Sequence, residues 1–167
     1  QTVTQQDQSQ NTTLLDSRHD HFAGYLTYIH GFKGKGELGG YLGVGHLIFE
    51  LSQNQEYTGS NYTYIDTGLS GFVPFGTERI GFSGRAGVVP YASLGDTLQE
   101  LGGSASVFGY RIYLGLESRF DIGLVLSGGF EYTAFGSDVT GTGRDGRIGE
   151  RADDHFMVLR FLGGYRF

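Results

Sequence analysis

The sequence predicts an all-β chain: an antiparallel transmembrane up-and-down β-barrel, with eight strands expected and seven clearly read. Three observations predict it. Gly makes up 30 of the 167 residues, and each Gly costs a helix about 1 kcal/mol relative to Ala. Apolar residues recur with period two over segments longer than the roughly 9–11 residues that cross a bilayer as a strand. The connections alternate between short and long, as the two ends of a membrane barrel do.

Residues 1–21 form a polar N-terminal segment, with Gln5, Gln6, Asp7, Gln8, Ser9 and Gln10 in succession. Residues 22–167 form the barrel. Its strands are expected at Phe22–Gly31, Tyr41–Ser52, Tyr62–Val73, Glu78–Val89, Ser104–Ser118, Asp121–Gly136 and Asp154–Phe167. Pro74–Thr77 and the Ser118–Asp121 region read as tight turns. Ser52–Asn61, Tyr91–Gly103 and Ser137–Asp153 read as long polar loops. The only helical turn to consider is Asp96–Leu101, which reads equally well as loop.

The alternation is clearest in the second half. Phe108, Tyr110, Ile112, Leu114, Leu116 and Phe120 oppose Arg111, Glu117 and Arg119. Ile122, Leu124, Leu126, Phe130 and Tyr132 oppose Ser127, Glu131 and Thr133. A soluble sandwich or lipocalin-like barrel would bury the apolar face, but its strands run about 5–6 residues. A charged fraction of 18% also leaves little polar surface for one. A membrane barrel inverts the pattern, with apolar side chains in lipid and polar ones in the lumen.

Composition excludes other classes. There is no Cys, hence no disulfide, thiolate metal site or Cys nucleophile. A net charge of −6 argues against a nucleic-acid partner. The glycine-rich Gly141–Gly149 lacks the Lys-Ser/Thr of a phosphate-binding loop.

Seven strands leave an even-numbered barrel one short. Three resolutions stand: a cryptic polar strand within Thr2–Leu15, a strand supplied by another chain, or a misreading within Phe22–Ser52. The first is preferred. A donated N-terminal arm would make that segment a route to self-association.

The segments GRAGV at Gly84–Val88, GYRIYLGLESRF at Gly109–Phe120, LSGGFEYTAFG at Leu126–Gly136 and LRFLGGYRF at Leu159–Phe167 resemble the last four strands of small OmpA-like or opacity-type outer-membrane β-barrels. The resemblance covers roughly Gly39–Phe167. It implies a mature chain in the bacterial outer membrane after signal-peptide removal. It also implies contact with outer-membrane lipid and lipopolysaccharide, and recognition of C-terminal Phe167 by the barrel-assembly machinery. The family includes structural anchors, adhesins and small pores. The expected function is therefore non-enzymatic, structural or surface-interacting, with a narrow pore as the alternative and no cofactor.

The candidate site is a lumen ion-pair network of Arg79, Arg85, Arg111, Glu117, Arg119, Glu131 and Arg160, with Arg166. His46, Glu50 and Asp66 join it provisionally. Charges in a narrow lumen must pair, since an isolated buried charge is costly. Asp16, His19, Asp20 and His21 precede one strand, and Asp153, Asp154 and His155 another. His19, His21, Asp154 and His155 are the metal candidates, by ligand type alone. A hydrolase, such as a lipid A-modifying enzyme, would need a nucleophile beside a His. Ser52 and Ser70 are candidates without a His-x-Ser motif, and His30 and His46 are isolated.

Overall fold

A computed structural model describes residues 2–6, 12–32, 36–51, 59–95, 104–142 and 151–167, with side chains for 17–32, 36–50, 59–95, 105–142 and 151–167. The described chain is all strand and turn, with no helix. The elements are β1 (Thr2–Gln6), β2 (Thr12–Phe32), β3 (Gly36–Leu51), β4 (Ser60–Phe75), β5 (Thr77–Ser93), β6 (Ser104–Arg119), β7 (Leu124–Thr140) and β8 (Arg151–Tyr165). Every pairing is antiparallel, and sheet order follows chain order. The seven long strands β2–β8 curl into a half-barrel. Side chains from β2 meet those from β6, β7 and β8 across the concave face.

Period two decides which residue points where. Even residues of β6, from Phe108 to Leu116, face out, while odd residues from Val107 to Arg119 face in. β7 keeps the same phase, with Leu126 and Phe130 out and Ser127 and Glu131 in. Ile65, Leu69, Leu114 and Phe161 are among many large apolar side chains exposed on the convex face.

The strands outrun the predicted ones. β2 begins at Thr12, so the expected boundary at residue 22 falls inside a continuous strand. β7 reaches Thr140 and β8 starts at Arg151, taking in residues read as loop. A backbone ladder needs no apolar alternation, so these polar extensions carried no signal. Gly36–Gly40, also passed over, belongs to β3 and pairs with Tyr28–Phe32. Asp121 and Ile122 do not start a strand. They form a turn in which Phe120 N–H donates to the Leu124 carbonyl at 2.9 Å and Gly123 N–H to the Phe120 carbonyl at 3.0 Å. The tight turn at Pro74–Thr77 centres on Gly76, whose φ of 75° suits a residue without a Cβ. Asp96–Leu101 and Ser52 lie outside the described residues.

β1 answers the strand count only in part. It is a real strand within the preferred Thr2–Leu15, and among the described residues its ladder joins Thr2–Gln6 to Thr12–Asp16, leaving Arg18–Phe32 of β2 paired with β3 alone.

Candidate functional site: an ion-paired interior

Three layers fill the concave face. At the long-loop end lies an aromatic layer. The Tyr62 and Phe135 rings stack with centroids 4.1 Å apart, in a cluster that includes Leu47, Tyr64, Val89 and Val107. Asp154 Oδ2 accepts hydrogen bonds from Ser60 Oγ and Tyr62 Oη, both at 2.6 Å.

The middle layer is ionic. Glu131 accepts from Arg111 Nη2 at 2.7 Å, and Arg160 Nη1 lies 2.5 and 2.6 Å from its two oxygens. Arg111 also donates to Asp66 Oδ2 at 2.7 Å and to Tyr25 Oη at 2.8 Å. All four charges are buried: Asp66 is 1% exposed, Arg111 4%, Glu131 4% and Arg160 8%. His21 joins from β2, with Nδ1 3.5 Å from Glu131 Oε1 and Nε2 2.5 Å from Tyr64 Oη. The guanidinium carbons of Arg85 and Arg160 lie 4.5 and 5.6 Å from the Tyr25 ring centre, within cation–π range. Small residues on β3 make this possible. A Cβ at Gly43 would collide with Asp66 and Tyr25, and one at Gly45 with Tyr64.

The third layer sits toward the short turns. Arg119 binds Glu117 at 2.8 Å and Glu37 at 2.8 Å, and stacks 3.4 Å from the Phe72 ring centre. Arg166 reaches Glu37 at 3.0 Å. Ser127 links to Tyr113 and Ser83 between this layer and the middle one.

Arg85, Arg111, Glu117, Arg119, Glu131, Arg160 and Asp66 thus converge inward. The others do not. Arg79 is at the rim, bound to Asp121 with both side chains largely exposed, because its strand has left the curled body there. His46 and Glu50 belong to the outward face, with Leu42 and Val44. His46 Nδ1 meets Thr63 Oγ1 at 2.9 Å. Gly43 and Gly45 occupy the inward positions of β3, which erased the polar half of the alternation and hid its phase.

Of the metal candidates, His19, His21 and Asp154 take the inward face and His155 the outward one. Asp154 faces in, while His155 faces out and meets Tyr132 Oη at 2.8 Å through Nδ1. His19 stacks on Phe156 inside. No metal-holding group of three acidic or His side chains exists among the described residues. Ser70 faces inward, and the hydrogen bonds of His21, His46 and His155 run to Tyr64, Thr63 and Tyr132, not to a serine. Sequence reasoning missed Tyr25, Tyr64 and Glu37. Glu37 lay between two expected strands in a stretch given no element, and the tyrosines looked like ordinary aromatic members of a strand.

Protein-family models, curated proteins and solved structures give no match to this chain. No helix among the described residues is long and apolar enough to cross a membrane, which says nothing about strands.

Proposed function

We propose that this chain is a non-enzymatic outer-membrane β-barrel with a structural or surface-interaction role. One observation carries the reading: the hydropathy is inverted. Asp66, Arg111, Glu131 and Arg160 are buried, while a belt of Leu, Ile, Val and Phe is bare on the convex face. An exposed apolar surface of that extent calls for a nonaqueous neighbour, and period-two strands of 15–21 residues exceed the bilayer crossing length. Exposed aromatics sit toward both ends of the strands: Tyr28, Phe75 and Tyr165 at one, Tyr91 and Phe108 at the other. That is where interfacial girdles stand.

The interior favours an anchor over a pore. Both Glu131 oxygens are engaged, and Tyr62, Tyr64 and Phe135 crowd one end of the concave face. The polar long-loop end would then face the cell exterior and meet lipopolysaccharide or partner surfaces, with Phe167 at the periplasmic end for the assembly machinery. Fractionation and electrophoresis test the reading. The chain should enter the detergent fraction and run as a heat-modifiable band. Planar-bilayer recordings should show no discrete channel events, whereas steady single-channel currents would restore the pore. A chain that stays monomeric in buffer without detergent would overturn the membrane assignment.

A further inference from the structure

The two ionic layers do not balance their charges alike. At the short-turn end, Arg119 and Arg166 face Glu37 and Glu117, two cations against two carboxylates. In the middle layer Arg85, Arg111 and Arg160 face Asp66 and Glu131, three against two. Asp154 is taken up by Ser60 and Tyr62 in the aromatic layer. Arg85 is the cation left over. It has no ion pair or hydrogen bond among the described residues, and its contact is the Tyr25 ring, 4.5 Å from the guanidinium carbon. A ring face answers the charge of a guanidinium but not its five N–H donors.

The sequence also makes room beside Arg85. Between the two ionic layers, the inward positions of β4, β5 and β7 are Ser70, Ser83 and Ser127 in place of large side chains. They line a cavity of about 1020 Å³ together with Tyr25, Arg85 and Arg160. Ser83 and Ser127 bond to each other at 3.3 Å, and Ser127 also bonds to Tyr113. Ser70 takes no part: its hydroxyl is buried, at 8% residue exposure, without a hydrogen-bond partner among the described residues. It stands directly opposite Arg85 in the β4–β5 ladder, which sets their Cβ atoms about 4.5–5.5 Å apart. Arg160 meets both Glu131 oxygens through Nη1, which leaves its Nε and Nη2 hydrogens unengaged among the described residues. Its guanidinium carbon lies 5.6 Å from the same Tyr25 ring centre that Arg85 approaches.

We propose that Arg85, Ser70 and Arg160 form an interior binding site for one small free oxyanion of the phosphate or carboxylate class. The donors converge on that chemistry. A guanidinium fork matches two oxygens of a phosphate or carboxylate, and the Ser70 hydroxyl adds a further donor. One negative charge brings the middle layer into balance, whereas three guanidinium groups around the Tyr25 ring repel a metal cation.

The route to the site runs one way. The cavity reaches Arg166 and Phe167 at the short-turn end, where the carboxylates of Glu37 and Glu117 are already held by Arg119 and Arg166. At the long-loop end Leu47, Tyr64, Val89 and Phe135 are packed to 0–1% exposure. An ion therefore enters and leaves by the short turns. Such a dead-end site binds without conducting. The inference goes beyond the anchor reading and rests on the interior alone.

Inorganic phosphate titrated into the folded, isotope-labelled chain in maltoside micelles at constant ionic strength tests it, read by NMR at the arginine Nε–Hε signals. Those of Arg85 and Arg160 and the Ser70 amide should shift together and saturate, while Arg79 on the rim should not move. Shifts that grow without saturating, or that follow Arg79 and Arg166 and not Arg85, would overturn the proposal. So would a phosphate group that moves Arg85 only when carried on a short-chain phosphatidate, which would assign the site to a lipid headgroup. Arg85→Gln should weaken phosphate about 10-fold or more, as loss of a charged hydrogen bond does, and Ser70→Ala about 5-fold. Arg85→Lys keeps the charge but not the fork and should recover only part of the loss. Unchanged affinity in folded Arg85→Gln would overturn the site. Urea unfolding gives a second readout. Phosphate should raise the wild-type midpoint more than that of Arg85→Gln, because an ion bound to the folded state stabilises it. A penalty from Arg85→Gln that is the same with and without phosphate would make Arg85 a structural partner of Tyr25 and overturn the proposal.

Discussion

The ion pairs of the middle layer and those of the rim use the same side chains at different depths. Glu131, Arg111 and Arg160 are almost fully buried and share hydrogen bonds, while Arg79 and Asp121 meet at 2.7 Å with 65% and 75% of their side chains exposed. Distance alone would rank them as equals. Burial separates them: water and salt screen the rim pair, whereas a middle-layer charge that loses its partner has nothing to replace it. The difference teaches that charge in this fold acts structurally only where the sheet has curled around it.

The largest expected effect is at the centre. Glu131→Ala leaves Arg111 and Arg160 facing each other, and should cost about 3–5 kcal/mol in reversible unfolding from lipid vesicles. A cost under 1 kcal/mol would show that water fills the layer and erase the contrast with the rim.

Next comes a charge introduced on the other face. Leu114→Arg, on the outward face of β6, should destabilise by about 2–4 kcal/mol in the same vesicles, and Leu126→Arg, third from the short-turn end of β7, by less, about 0–1 kcal/mol as the charge nears the interface. Ser127→Arg, directed inward beside Tyr113 and Ser83, should cost less through lipid exposure. Equal penalties on the two faces would break the inside-out assignment.

The short-turn layer is intermediate, with Arg119 and Glu37 13% and 12% exposed. Arg119→Ala removes charged hydrogen bonds and the contact with Phe72, and about 1.5–3 kcal/mol is expected from urea unfolding. The smallest effect belongs to the rim: Arg79→Ala should change stability by about 0–1 kcal/mol and lose even that in high salt. A larger loss at Arg79 than at Arg119 would reverse the depth ordering.

The legible parts of this molecule share one property, a full set of side chains on both faces of a strand. In β6 and β7, Leu114 and Phe130 on one side and Arg111 and Glu131 on the other state the phase at every step. In β3 the inward positions Gly43 and Gly45 are blank, so His46 was assigned to the wrong face. Period two also explains why Asp154 and His155, adjacent in sequence, do not converge. Adjacent strand residues point to opposite faces.

The sequence by itself determined the all-β class, the turn at Gly76 and the facing of the central strands. It could do so because alternation and glycine chemistry are local properties. Only the tertiary structure decided that Arg111 stands between Asp66 and Glu131, that Tyr25 lies beneath Arg85, and that Glu37 serves Arg119. Those contacts join strands dozens of residues apart, and curvature selects them. Local pattern tells a side chain which face to take; the closing of the sheet tells it which neighbours it finds there.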